Sequence, residues 1–297
     1  LRMLCVAPLL LSSAPPVRRT AAPQRRTADG GPSPFAAGLH AAHVAADARF
    51  RAWPALNDEA TRHAVNAGRR YRLHLREEGG TAAGGDPTAA LFSGGTLMGR
   101  FGLALAARRA VDRKEFFEAT EFFARVRSHL KSESGTLVDA AGGHGLVGAL
   151  AAVFKFEQFG RVQVHDPQRP KSFDAVAAAA AEVAPWAEGR VVHLPARLGE
   201  APLPRGCAVV GVHGCGTLTD RIIDAAAEAD ARSIALMPCC YSQTAADAPE
   251  ALRRALGVPL ASDVHRTYRL EKLGYTVRWS AVPLSITPMN RIIIATR

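Results

Sequence analysis

The stretch Val138-Asp139-Ala140-Ala141-Gly142-Gly143-His144-Gly145-Leu146-Val147-Gly148 decides how the rest of the chain is read. Its apolar start suits a short buried strand, its glycines a tight turn, and Leu146 onward the first turn of a helix. Glycine lets backbone come close to a ligand. The N-terminus of a helix then offers unpaired N–H groups and the positive end of a dipole. A strand–glycine turn–helix unit is therefore a small-molecule cradle before it is anything more specific.

Downstream of this unit, strands and helices alternate. Thr136 to Ala140 reads as strand 1, with its helix from about His144 to Phe156. Strand 2 is Arg161 to His165 and ends at Asp166. An Ala-rich helix follows Pro170, then strand 3 at Val191 to Leu194 and strand 4 at Ala208 to His213. The next helix starts at Thr217, whose hydroxyl is placed to cap it, with Asp220 three residues on. Strand 5 is Ser233 to Met237, and a helical connection broken near Gly257-Val258-Pro259 leads to two last strands, Tyr275 to Val282 and Arg291 to Ala295. Repeated β-α units predict a parallel, doubly wound sheet. The link Pro283 to Asn290 is too short for a parallel crossover, so the last two strands must pair antiparallel. The fold class predicted is a Rossmann-like, seven-stranded α/β sheet with an antiparallel last strand, preceded by a helical region.

Two ligands fit the glycine turn. Asp139, Ala141, Gly143 and Gly145 fill an acidic-x-small-x-Gly-x-Gly pattern that suits S-adenosylmethionine (SAM). Gly143, Gly145 and Gly148 fill the G-x-G-x-x-G pattern of a dinucleotide site. Asp166, at the end of strand 2, can accept hydrogen bonds from ribose hydroxyls under either reading. The terminal hairpin favours SAM, because the chain ends without the catalytic lobe a dehydrogenase would need. Asp139 favours it too, since an acid beside the turn suits a cationic methionine end better than a pyrophosphate.

Upstream, residues 112–131 read as an amphipathic helix in which Phe116, Phe122, Phe123, Val126 and Leu130 form a core stripe. Residues 35–111 read as helices with loops: an Ala-rich Phe35 to Trp53, a periodic Thr61 to Leu75, and an Ala-rich helix after Leu91 to Met98. Arg69, Arg72 and Arg76 would share one helical face, as a phosphate-binding stripe or a solvated surface. A glycine-rich loop runs from Gly79 to Asp86. Residues 1–34 combine Arg2, an apolar run to Leu11 and an Arg-, Ala- and Pro-rich tract poor in acids. This reads as a bipartite presequence for a plastid or mitochondrion, or as a disordered tail; residues 112–297 would be the catalytic domain.

The 297-residue chain carries a net charge of +10 and is 48% hydrophobic. That charge is a field attractive to polyanions, RNA among them. After the N-terminal segment no run is long and apolar enough to span a bilayer. Five cysteines in so long a chain do not form a disulfide framework, which points to a reducing compartment, organellar or otherwise cytoplasmic.

Three further segments carry a resemblance. They are Gly211-Val212-His213-Gly214-Cys215-Gly216-Thr217-Leu218-Thr219-Asp220, then Met237-Pro238-Cys239-Cys240-Tyr241, then Thr287-Pro288-Met289-Asn290-Arg291. Together they are similar to the signatures of a class I SAM-dependent methyltransferase-domain group. That group includes the eukaryotic acceptor-stem tRNA 2′-O-methyltransferases and related methyltransferase-like proteins. The resemblance runs from about residue 90 to 297 and implies methyl transfer, with RNA as the acceptor. A methyltransferase for a small molecule or protein, and a non-catalytic scaffold that keeps the fold, are the alternatives.

On this reading the cofactor residues are Asp139, Ala141, Gly143, His144, Gly145, Asp166, His213 and Gly214. The catalytic candidates are His213, Cys239 and Tyr241. His213 is a general base or a histidine shaping the loop. Cys239 or Cys240 is a covalent nucleophile, part of a zinc set with His213 and Cys215, or close packing under the cofactor. No recognised finger spacing is present, so no metal is expected. The sequence leaves the oligomeric state open.

Overall fold

The computed structural model describes residues 49–66, 72–75, 86–241 and 248–297. The presequence-like segment over 1–34, most of the Phe35 to Trp53 helix, Arg69, Arg76 and the loop over 79–85 lie outside them. The described elements begin with a 3-10 turn at Pro54–Asn57, then α1 (Glu59–Asn66), α2 (Pro87–Phe92), α3 (Leu97–Ala107) and α4 (Arg113–Val126). The alternating part is β1 (Thr136–Ala140), α5 (Leu146–Phe154), β2 (Arg161–His165), α6 (Lys171–Val183), β3 (Val191–Leu194), β4 (Ala208–Val212), α7 (Leu218–Glu228) and β5 (Ser233–Met237). The chain closes with α8 (Glu250–Leu256), α9 (Val258–Lys272), β6 (Thr276–Ala281) and β7 (Arg291–Thr296).

The seven strands form one sheet in the order β3-β2-β1-β4-β5-β7-β6. The first five pair in parallel, and β7 runs antiparallel to both β5 and β6. This is the fold class expected from the sequence. The order reverses between β1 and β4, which opens a crevice at their carboxyl ends, where ligands of open α/β sheets bind. Side chains alternate between faces. Leu137, Val210, Val212, Ala235, Met237 and Ile292 share a core with α3–α6 and the N-terminal segment. Val138, Val209, Ile234, Leu236, Ile293 and Ala295 pack on the other face with α7 and α9. Among the described residues no helix is long and apolar enough to cross a membrane.

Helix α4 is the hub of the first layer. Phe116, Phe117, Phe122 and Phe123 are buried in the core. Trp53 stacks among Phe92, Phe116 and Phe117 with ring centroids 5.1, 5.6 and 6.0 Å away. The Trp53 indole N–H donates to Thr120 Oγ1 at 2.9 Å. The wholly buried Glu121 carboxylate accepts from the backbone N–H of Arg51 and Ala52, each at 2.9 Å. Its partner Arg125 donates to the Ala281 carbonyl at 2.5 Å and the Arg49 carbonyl at 2.7 Å. One buried ion pair thus pins the incoming chain and the end of β6 to the same helix.

Four local expectations fail. Residues 49–53 are not helical, because the N–H groups of Arg51, Ala52 and Trp53 are spent on Glu121 and that of Phe50 on Asn57, not on a helix ladder. Helix α1 is described as far as Asn66, and residues 72–75 are extended: the Leu73 N–H donates to the Val111 carbonyl at 2.9 Å and Arg72 bridges Asp112. Arg72 therefore belongs to no helical arginine face. The predicted helix over 112–131 ends at Val126, so Leu130 is buried outside it. Thr217 stands at the N-cap of α7 without a side-chain bond. Its neighbour Thr219 donates instead to the Gly214 carbonyl at 2.5 Å, and Asp220 accepts from Arg266 at 2.8 Å.

Candidate active site

The turn after β1 is built around Asp139. Its carboxylate is 1% exposed and accepts from the Gly148 N–H at 2.9 Å, in the first turn of α5. Burial pushes its pKa up to about 6, only partly offset by the Gly148 N–H and His144. Gly142 lies directly over it: a Cβ there would come within 2.6 Å of the carboxyl carbon. Asp139 thus supports the turn from beneath. Ala141, Gly143 and Gly145 all take positive φ, of 55, 52 and 71°. For Ala141 this left-handed conformation is strained, and such strain gathers at ligand sites. A Cβ on Gly143 would meet nothing within 4 Å, so the turn presents open space above bare backbone. Asp166 accepts from the Gly143 N–H at 3.2 Å and from the Gln168 N–H at 2.9 Å. It stands at the rim of the same turn, partly exposed.

The loop after β4 carries His213, also at positive φ, 66°. Its Nε2 lies 2.8 Å from Glu118 Oε2 on α4. Burial pushes the Glu118 pKa up, but His213 and Lys114 outweigh it and hold the carboxyl below the usual range. An ionised carboxylate only accepts, so His213 Nε2 is the donor and Nδ1 is left as the ring's acceptor. Lys114 completes the group, with Nζ 2.6 and 2.7 Å from the Glu118 oxygens.

One turn earlier on α4, Glu115 Oε2 lies 3.2 Å from His144 Nε2. His144 Nδ1 accepts from the Leu146 N–H at 3.2 Å, which makes Nε2 the donor. That bond is the main reason the Glu115 pKa is lowered. Two glutamates of one helix therefore orient one histidine from the glycine turn and one from the loop after β4. Neither glutamate stood out in the sequence, where α4 reads as a core helix through its phenylalanines. The signal was present: Glu115 and Glu118 are three residues apart, on one face, just before the strand that leads into the glycine turn.

Beside His213 opens a cleft of about 840 Å³. One wall is the N-terminal segment, through Phe50, Leu56 and Arg62. The other is the start of α4 with Arg113, Lys114 and Glu115, and Ser285 and Ile286 from the β6–β7 link close it.

The remaining candidates direct their hydrogen bonds to other partners. Gly214 is buried, with its carbonyl taken by Thr219. The Tyr241 hydroxyl donates to the buried Asp263 at 2.7 Å, and Arg291 donates to the same oxygen at 2.8 Å. Burial and the Asp263 charge push the phenol's pKa up. Cys239 lies in a cluster with Cys215 and Cys240. The His213 imidazole is turned to Glu118, so it does not join the thiols in the four-residue set considered from the sequence.

A crevice where the strand order reverses, a glycine turn with vacant space over Gly143, and a carboxylate at the end of β2 are the fittings of a nucleoside cofactor. With the antiparallel β7, and with a methyltransferase-domain match over residues 113–247, they support a SAM-dependent methyltransferase. Residues 113–247, from the start of α4 past the end of β5, match the family model described as a methyltransferase domain. No curated protein matches the chain. Solved structures similar to it include an rRNA methylase from Streptococcus thermophilus, at 13% identity over 62% of this chain and 96% of that one, TM-score 0.37. A putative rRNA methylase from Clostridium thermocellum has 15% identity over 58% and 90%, TM-score 0.40. A precorrin-6y C5,15-methyltransferase from Geobacter metallireducens GS-15 has 16% identity over 60% and 87%, TM-score 0.37.

Proposed function

We propose that the chain transfers the SAM methyl group to RNA, onto a hydroxyl or neutral nitrogen that loses a proton, with His213 as the base. The observation that carries this is the 2.8 Å pairing of His213 with a buried glutamate, in the lining of a cleft whose Glu115 also holds His144 of the glycine turn. SAM, when bound, supplies an electrophilic methyl group. The backbone at Ala141, Gly143 and Gly145 would line its methionine end, and Asp166 would hold its ribose. Asp139 acts through the turn it supports. The cleft walls orient the acceptor, and alignment of this kind supplies much of the rate in a bimolecular transfer. His213 Nδ1 takes the acceptor proton, while Glu118 holds the ring and stabilises the imidazolium that forms.

RNA is favoured by the net charge of +10 and by Arg62, Arg113 and Lys114 on the cleft walls, beside Asp112 and Glu115. The resemblance to acceptor-stem tRNA 2′-O-methyltransferases makes a ribose 2′-hydroxyl the first acceptor to test. Incubation with methyl-labelled SAM and fractionated cellular RNA, protein and metabolites is the experiment. After alkaline hydrolysis, label in alkali-resistant dinucleotides assigns a ribose 2′-oxygen, and label in mononucleotides assigns a base. Label confined to protein or metabolites overturns the RNA reading while leaving the methyltransferase intact.

A further inference from the structure

Cys215 follows β4, and Cys239 and Cys240 follow β5, its neighbour in the sheet. The sheet pairing carries on into the loops, through His213 N–H to the Met237 carbonyl at 3.3 Å and Gly216 N–H to the Cys240 carbonyl at 3.1 Å. The loops are thereby fixed side by side, and three thiols meet at the surface. Cys215 Sγ is 3.2 Å from Cys239 Sγ, which is 3.5 Å from Cys240 Sγ, and all three lie within 4.8 Å of one another. Cys215 and Cys240 are exposed and Cys239 is half-buried. Cys207, by contrast, is sealed in the core, where burial pushes its pKa up to about 12.

We propose that Cys215, Cys239 and Cys240 form a binding site for a zinc-class ion that ties together the loops after β4 and β5. Thiolates select soft, d10 ions. A tetrahedral ion with bonds of about 2.3 Å to sulfur separates the sulfurs by about 3.8 Å, which these three reach by sub-ångström adjustments. The described residues supply three ligands, so the fourth position belongs to water or to an incoming group. On binding, each thiol gives up its S–H proton to solvent and the ion gives up its waters, with no change of oxidation state. A disulfide would use two sulfurs and leave the third without a purpose, and bridging the vicinal pair strains the backbone. The site does not depend on the identity of the methyl acceptor.

The test uses the full chain, reduced and stripped of metal, titrated with zinc and separately with cobalt(II). One equivalent of zinc should protect three of the five thiols from a disulfide reagent and release about three protons. Cobalt should give the intense near-ultraviolet band of thiolate-to-metal charge transfer. Cys215→Ser or Cys240→Ser should weaken zinc by more than the ~10–100-fold that outer-shell changes cost. Cys207→Ser should leave zinc affinity as it was. If a serine variant fails to fold, the thiol-protection measurement on the unmodified chain still decides. Equal thiol reactivity with and without zinc overturns the proposal. So does a Cys215–Cys239 disulfide in air-exposed protein whose reduced form takes up no metal. SAM binding, followed alongside by calorimetry, separates loss of this site from failure of the methyltransferase reading.

Discussion

At the scale of single residues, the pairing of His213 with Glu118 makes the sharpest demand on activity. His213→Ala should lower kcat by ~10²–10⁴-fold with SAM affinity little changed. Glu118→Gln keeps a hydrogen-bonding side chain but loses the charge, and should cost on the order of 10–100-fold in kcat. Single-turnover kinetics with SAM affinity measured separately checks both; a parallel loss of SAM binding would assign these residues to the cofactor instead. Asp166→Ala should weaken SAM by about 1.5–3 kcal/mol in calorimetry, the worth of hydrogen bonds to a charged acceptor. Asp139 predicts a pH effect. Its folded pKa, raised to about 6, lies above the unfolded carboxylate value near 4. Between those values the native state keeps a proton that the unfolded chain has released. Its contribution to stability is therefore full below about pH 4, declines up to about pH 6, and is a cost of ~3 kcal/mol above it. Asp139→Asn should raise the melting temperature of the SAM-free protein at pH 7–8 and change it little at pH 4. A difference independent of pH would contradict this account.

At the scale of elements, β1, β2, β3 and β5 begin and end where the sequence places them, because each is a short apolar or alternating run bounded by glycine, proline or charge. Gly257 breaks the last long helical stretch at φ 75°, as its Gly-Val-Pro signal requires. The elements that could not be read are those whose partners are distant in sequence. Helical periodicity beyond Thr61 continues to Leu75, but a hydrogen bond from Leu73 to Val111 overrides it. Thr217 has a capping sequence, yet the adjacent Thr219 takes the Gly214 carbonyl. The glycine turn, Asp166 and His213 were legible as motifs. Glu115 and Glu118 were not, because their meaning depends on which loops α4 covers. Gly142 gives a test at this scale: Gly142→Ala drives a Cβ to 2.6 Å from the Asp139 carboxyl carbon. It should destabilise the turn by about 1–3 kcal/mol and depress SAM binding, readable as a lower melting temperature whose rise on adding SAM is diminished.

At the scale of the whole molecule, the segment from Phe50 to Leu56 shares one core with the sheet, and it also walls the cleft. Trp53→Ala opens a hole among three phenylalanines and should cost about 3–5 kcal/mol in urea unfolding. Were the segment an independent appendage, the main transition would not move. The cationic excess belongs to this scale too. If RNA is the acceptor, raising salt from 50 to 200 mM should reduce its affinity by roughly 20–40-fold, for about three phosphate contacts. Salt-independent binding would speak against a polyanionic acceptor.

The first two turns of α4, encoded ahead of every described strand, touch both the glycine turn and the loop after β4, through Glu115 and Glu118. A compound that prised these turns loose would free both imidazoles at once.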